Sequence, residues 1–142
     1  MPSTKKNSLS YNRIKSFRKM VYGYYEMNGR DLPWRKTDDP YRIVVSEMML
    51  QQTQVERVLG KYDLFVSRFP NVASLAGAPF NEVLQVWQGL GYNRRALALV
   101  RLARVIKEKH GGRFPPDYDE LVSLAGIGPA TAGCICAFAF RI

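Results

Sequence analysis

Cysteine and histidine are scarce in this chain of 142 residues, which has two cysteines and one histidine. Cys134 and Cys136 form a C-x-C pair with no second pair and no nearby histidine, a spacing that fits a zinc site poorly. Because their neighbours are apolar, we interpret both as reduced core residues and expect no metal site. No apolar run approaches the roughly 18 residues that a membrane-spanning helix needs, and residues 1–10 lack the apolar stretch of a signal peptide. These absences argue against a membrane protein.

Acidic residues are also few relative to basic ones. Lys and Arg total 21 against 12 for Asp and Glu, so the net charge is +9, with a pI near 9.8. Such a charge favours acidic partners, either nucleic acid or a membrane surface, and the missing apolar segments leave nucleic acid as the better candidate. The apolar content of 46% is typical of one soluble globular domain.

No segment of useful length alternates with the period of two that a half-buried strand requires, and the sequence therefore predicts an all-α fold. Asp39 suits a helix N-cap and Pro40 the first helical position, and Asp117 with Glu120 is typical of a capping box. Apolar periodicity and these caps predict helices over about 8–27, 40–52, 53–68, 71–77, 79–87, 93–109, 117–123 and 129–140.

A glycine hairpin lies between the last two predicted helices, over residues 124–132. Gly126 and Gly128 flank one apolar residue, which lets the backbone turn sharply and approach a ligand closely. The following helix start presents backbone N–H groups and a positive dipole end, which suit a phosphate. A plain turn between two helices is the alternative interpretation.

Glu47 is the candidate catalytic residue, since its helix is apolar nearly all round. A helix of that kind is expected to be buried, and burial favours the protonated carboxyl that a general acid needs. The alternative is a structural ion pair with Arg30, Arg35 or Arg42.

Two polar segments and one basic stripe complete the candidate surface. Residues 51–54 form the run Gln-Gln-Thr-Gln, whose amides both donate and accept hydrogen bonds. Residues 89–92 read Gly-Leu-Gly-Tyr, in which Tyr92 offers a flat wedge against a base; a core-capping loop tyrosine is the alternative. Arg94, Arg101 and Arg104 share one face of the 93–109 helix.

These motifs together resemble the helix-hairpin-helix superfamily of DNA glycosylases, and within it the MutY-type adenine glycosylases. The matching stretches are Leu-Pro-Trp-Arg at 32–35, Asp-Pro-Tyr at 39–41, the string at 46–55, Gly-Leu-Gly-Tyr at 89–92 and the hairpin. The resemblance implies a six-helix barrel core over 33–142 that ends in the hairpin. It also implies that 8–32 is an N-terminal helix and linker of an incomplete second domain, preceded by a disordered basic tail at 1–7.

The resemblance further implies a mechanism on double-stranded DNA that carries a mispaired or damaged base. The enzyme extrudes adenine from the duplex, and Glu47 protonates N7 of that base before the glycosidic bond hydrolyses. Residues implied to line the adenine pocket are Arg30, Trp34, Arg35 and Leu50. Residues implied to contact DNA are Gln51, Gln52, Thr53, Tyr92, Arg94, Gly126, Gly128 and Thr131.

Departures from the family's pattern limit what the resemblance implies. Ala130 stands where bifunctional relatives carry a lysine nucleophile, which predicts a monofunctional glycosylase without a lyase step. The family's catalytic aspartate and its iron–sulfur region are expected beyond residue 142, so the chain is interpreted as a truncated piece without a cofactor. A monomer located with the DNA, in a prokaryotic nucleoid or a eukaryotic nucleus, is expected. The alternatives are a non-catalytic DNA-binding module and a glycosylase for another base, such as thymine opposite guanine.

Overall fold

A computed structural model describes residues 10–142, and within that range every regular element is helical. This confirms the predicted all-α class. The chain divides into two compact units, residues 1–31 and 32–142, one residue earlier than the boundary that the sequence predicts. The predicted tail at 1–7 lies outside the described residues.

The first unit contains one helix, α1 (Tyr11–Asn28), close to the predicted 8–27. Its N-cap is Ser10, whose side chain accepts a hydrogen bond from the Arg13 amide at 3.4 Å. The helix carries many aromatic and apolar side chains, and none of its residues is buried.

The second unit begins with a short 3-10 turn, Pro33–Arg35, and contains the remaining helices. These are α2 (Pro40–Leu50), α3 (Val55–Arg68), α4 (Val72–Ala76), α5 (Phe80–Trp87), α6 (Arg94–His110), α7 (Tyr118–Ser123) and α8 (Pro129–Ile135). A single π-helical turn, Cys136–Phe140, follows α8.

The junction between α2 and α3 differs from the prediction. The sequence predicts helix through Gln52 and again from Thr53, whereas residues 51–54 form a turn between α2 and α3. The last helical segment ends at Phe140 as predicted, α-helical through Ile135 and π-helical over Cys136–Phe140.

Helix α2 occupies the centre of the second unit, packed against α3, α6 and α8. Its start is set locally, because the Asp39 carboxylate accepts a hydrogen bond from the Tyr41 amide at 3.0 Å and Pro40 opens the helix. Both predictions for this cap are confirmed. Most of its residues are buried, so a polar side chain on α2 lies beside the core.

The core around α2 is dense in aromatic rings. Trp34 is 1% exposed and meets Tyr62 edge-on, with ring centroids 5.4 Å apart. Phe65 meets Trp87 in the same manner at 6.0 Å. Edge-to-face contacts of this kind add to the stabilisation from burial. Among residues 10–142, none of the helices is both long and apolar enough to cross a membrane.

Candidate active site

The Glu47 side chain lies on α2 and is partly buried, between the core and the surface. Within residues 32–142, no arginine forms an ion pair with this carboxylate; Arg42 instead approaches Asp39 at 4.0 Å. The structural ion pair with Arg35 or Arg42 that the sequence left open is therefore absent from this unit.

Cys134 on α8 is the neighbour of Glu47 that sequence reasoning missed. Burial raises the pKa of the Cys134 thiol, and the negative charge of the nearby Glu47 carboxylate raises it further. Arg35 acts in the opposite direction. The Arg35 guanidinium also lies over the Phe138 ring, 4.3 Å from its centroid. The α8 segment thus forms one wall beside Glu47, which the sequence predicted only as apolar core.

The turn at 51–54 and the loop at 89–92 meet at the surface. Gln52 and Tyr92 line the same two cavities, of about 950 and 600 Å³. Tyr92 is 67% exposed, so it does not cap the core. The first cavity is also lined by Gln51 and Arg94, whereas Glu47 lines neither. The structure therefore brings Gln52 and Tyr92, both implied to contact DNA, together at one site.

Arg95 organises this site, although it is not among the site residues predicted from the sequence. The residue is 9% exposed, and its guanidinium donates to the carbonyls of Met48 and Met49 at 2.8 Å each. A signal was present in the sequence, because Arg95 shares the face of Leu99 and Leu102 at helical spacing. A cation on an apolar stripe is uncommon unless it has buried partners.

The glycine hairpin joins α7 to α8, as the sequence predicts. Gly126 has φ +92°, a backbone conformation that L-residues rarely adopt, whereas Gly128 has φ −86°. The intervening Ile127 is buried and anchors the turn in the core. Both glycines are exposed, so the hairpin backbone faces solvent.

Comparison with known proteins identifies the family. Residues 45–133 match the family model described as HhH-GPD superfamily base excision DNA repair protein. The chain belongs to this superfamily. The match runs from the first half of α2 through the hairpin, and therefore contains Glu47, the 51–54 turn and Arg95.

Relatives in this superfamily carry one recurring name, "Adenine DNA glycosylase". One from Buchnera aphidicola subsp. Baizongia pistaciae is 42% identical over 119 residues, 84% of this chain and 34% of that protein. One from Mycobacterium tuberculosis is 43% identical over 122 residues, 85% of this chain and 40% of that protein. The human protein is 38% identical over 136 residues, 89% of this chain and 25% of that protein. The chain thus spans about a third of the length of these relatives.

Solved HhH-GPD-like structures share the fold. A thermostable thymine-DNA glycosylase superposes with a TM-score of 0.85 at 31% identity, covering 91% of this chain and 60% of that one. A non-covalent endonuclease III–DNA complex superposes with a TM-score of 0.77 at 20% identity, covering 94% and 61%. The predicted helix-hairpin-helix glycosylase fold is confirmed.

Several residues that the resemblance implies for the HhH-GPD site have little exposed surface. Trp34 is 1% exposed and Thr131 4% exposed. Leu50 is partly buried at the end of α2, and Arg30 belongs to the first unit. Trp34 and Thr131 therefore offer little side-chain surface, and their roles in the site stay predictions.

The predicted basic stripe on α6 is only partly free. Arg94 and Arg101 are exposed, whereas Arg104 donates from Nε to the Ala76 carbonyl at 3.3 Å and ties α6 to α4. In the described part of the chain, no group of three or more His, Cys, Asp or Glu side chains is arranged to hold a metal ion.

Proposed function

We propose that this chain carries the site of a DNA glycosylase that removes adenine mispaired with guanine or oxidised guanine. The observation that carries the proposal is the partly buried Glu47, which has no arginine ion pair within its unit. Its helix leads directly into the surface turn that carries Gln52, beside Tyr92. The shared name of the relatives in three distant organisms supports adenine as the base.

Glu47 acts as the general acid in this proposal. Its carboxyl donates a proton to N7 of an extruded adenine, the bond between C1′ and N9 breaks with its electron pair leaving on the base, and a sugar cation remains. Water then attacks C1′ and loses a proton, which yields free adenine and an abasic sugar. Proton donation of this kind accelerates reactions by roughly 10²–10⁴-fold.

DNA contact follows from the charge and from the wedge. With a net charge of +9 the chain attracts phosphates, and exposed Arg57 and Arg94 lie beside the cavities at Gln52 and Tyr92. The Gln52 and Tyr92 side chains enter the gap that the extruded base leaves, and unstacking that base costs a few kcal/mol. The hairpin at Gly126 and Gly128 positions the strand. The protein acts as a monomer, located with the DNA.

Ala130 makes the proposed enzyme monofunctional. An alanine methyl carries no nucleophile that could attack C1′ and form the covalent sugar adduct of a lyase. Trapping with borohydride is therefore expected to yield no protein–DNA adduct.

Thymine opposite guanine is the second candidate substrate. It is favoured by the solved thymine-DNA glycosylase, which is 31% identical and covers 91% of this chain. Both reactions use the same fold, so the extruded base decides between them.

A base-release assay tests the function. The full chain is incubated with one duplex carrying adenine opposite oxidised guanine and another carrying thymine opposite guanine, and free base is measured by chromatography. Release from the first duplex alone is expected. Glu47→Gln is expected to slow release at least about a hundredfold while duplex affinity, measured by fluorescence anisotropy, stays within about twofold.

Glu56→Gln is the matched control, because Glu56 is an exposed glutamate in the first turn of the next helix. It is expected to release base at the wild-type rate. Wild-type binding without release from either duplex would point to a non-catalytic module, and full activity in Glu47→Gln would contradict the assigned acid.

A further inference from the structure

Arg95 connects two segments that are far apart in the chain. On one side its guanidinium donates to the carbonyls of Met48 and Met49 in the last turn of α2, and to the carbonyl of Gln51. The last carbonyls of a helix lack intrahelical partners and form the negative end of the helix dipole. A buried guanidinium is therefore a favourable C-terminal cap for the helix that carries Glu47.

On the other side the same guanidinium holds the 89–92 loop. It donates to the carbonyls of Leu90 at 3.2 Å and Gly91 at 3.4 Å, and to the Thr53 hydroxyl at 3.0 Å. None of these acceptors is a carboxylate. Burial lowers the pKa of Arg95, and an arginine guanidinium stays protonated in proteins.

Two residues of this site have a backbone conformation that is costly for anything but glycine. Gln52 has φ +56° and Tyr92 has φ +46°. Each comes directly after a carbonyl that Arg95 binds, those of Gln51 and Gly91. Strained residues of this kind persist only where surrounding contacts hold them, and they cluster at functional sites.

We propose that Arg95 is a positioning residue that holds Gln52 and Tyr92 in the left-handed conformation, so that both side chains are set to enter a DNA base stack. The proposal rests on the proposed function, because it takes a DNA base stack as the partner of Gln52 and Tyr92. It adds that the wedge is ordered before DNA binds, which spares the complex the entropic cost of ordering two loops.

Arg95→Lys is the decisive variant. Lysine keeps the positive charge, so long-range attraction of phosphates is unchanged. Its single nitrogen cannot reach both the α2 carbonyls bound by Nη1 and the loop carbonyls bound by Nη2 of Arg95. Arg68→Lys is the matched control, because exposed Arg68 pairs with Glu82 at 3.1 Å and lines neither cavity.

The first measurement needs no DNA. The amides of Thr53 and Leu90 donate to the carbonyls of Leu50 and Trp87 within the two segments, and their hydrogen exchange is measured by NMR in each variant. Arg95→Lys is expected to speed exchange at both amides about tenfold, with less than about twofold change at the core amides of α3. Arg68→Lys is expected to change neither.

The second measurement uses a duplex with 2-aminopurine in place of the mispaired adenine, whose fluorescence rises on unstacking. Arg95→Lys is expected to lower the fluorescence rise about tenfold, while affinity for undamaged duplex stays within about twofold. Thr53→Val removes one acceptor from Arg95 without changing side-chain shape, and is expected to shift both measurements in the same direction by less. Thr53→Val takes the place of Arg95→Lys in both measurements if Arg95→Lys does not fold.

Unchanged exchange at Thr53 and Leu90, or an equal rise throughout the chain, would overturn the proposal for Arg95. A wild-type chain that gives no fluorescence rise would instead contradict the proposed function, while the exchange result would still decide whether Arg95 holds the two segments.

Discussion

The two glycines of the hairpin are expected to respond differently to the same substitution. Gly126 has φ +92°, and an added Cβ would lie 3.7 Å from the Ala98 Cβ, which is ordinary contact. The penalty for Gly126→Ala therefore comes from the backbone and not from a clash. Residues in sparsely populated conformations cost about 1–3 kcal/mol each.

Gly128 supplies the matched control within the same turn. Its φ is −86°, and an added Cβ would meet nothing within 4 Å. Replacing it by alanine weakens the N-cap slightly but also restricts the unfolded chain. These effects oppose each other, and the net change in stability is expected to stay within about 0.5 kcal/mol.

Urea denaturation followed by tryptophan fluorescence measures both variants. With an m-value of about 2 kcal/mol/M, a loss of about 2 kcal/mol lowers the midpoint by roughly 1 M. Gly126→Ala is expected to show that shift and Gly128→Ala less than about 0.3 M. If the hairpin binds phosphate, Gly128→Ala weakens duplex binding without loss of stability. Equal midpoints for Gly126→Ala and wild type would refute the backbone argument.

Three further predictions follow from buried side chains. Tyr41→Phe removes the hydroxyl that donates to the Phe69 carbonyl at 2.6 Å and is expected to cost about 1–3 kcal/mol by urea denaturation, since the carbonyl loses its buried partner. Burial raises the pKa of Tyr41 above its ordinary value. The folded state therefore keeps this proton as the pH rises above about 10, where the unfolded state loses it, and wild-type stability falls in that range. The stability of Tyr41→Phe is expected to fall less, and a parallel decline of both proteins would contradict this. Glu47→Gln is expected to lower the raised pKa of Cys134, because the carboxylate no longer opposes the thiolate. Alkylation of Cys134 by iodoacetamide at pH near 8, measured by peptide mass spectrometry, is expected to be faster in this variant. An unchanged rate would contradict the proximity of the two groups. Trp34→Ala is expected to cost about 3–5 kcal/mol by thermal denaturation, because the ring is 1% exposed, and a stable folded variant would contradict its place in the core.

Local signals in the sequence predicted the helical elements well where caps decide them. Asp39 and Pro40 begin α2 as expected, and Asp117 accepts a hydrogen bond from the Glu120 amide at 2.9 Å at the start of α7. Such caps act over three residues, so they can be recognised from sequence alone. Glu47 also stood out, since one charge among apolar residues is visible in the helical pattern.

The features that local sequence patterns did not predict depend on contacts between distant parts of the chain. The 51–54 turn replaces predicted helix where a guanidinium 44 residues further along the chain binds the Gln51 carbonyl. The neighbour of Glu47, Cys134, comes from the last helix, and the burial of Trp34 depends on packing against Tyr62 of α3.

The sequence by itself therefore determined the all-α class, the helix starts, the family and the candidate acid, because each depends on spacing along one segment. Only the tertiary structure decided that Gln52 and Tyr92 share one surface site and that Arg95 binds both of their segments. The physical reason is that a buried cation is stable only where acceptors converge on it, and these acceptors come from segments about forty residues apart.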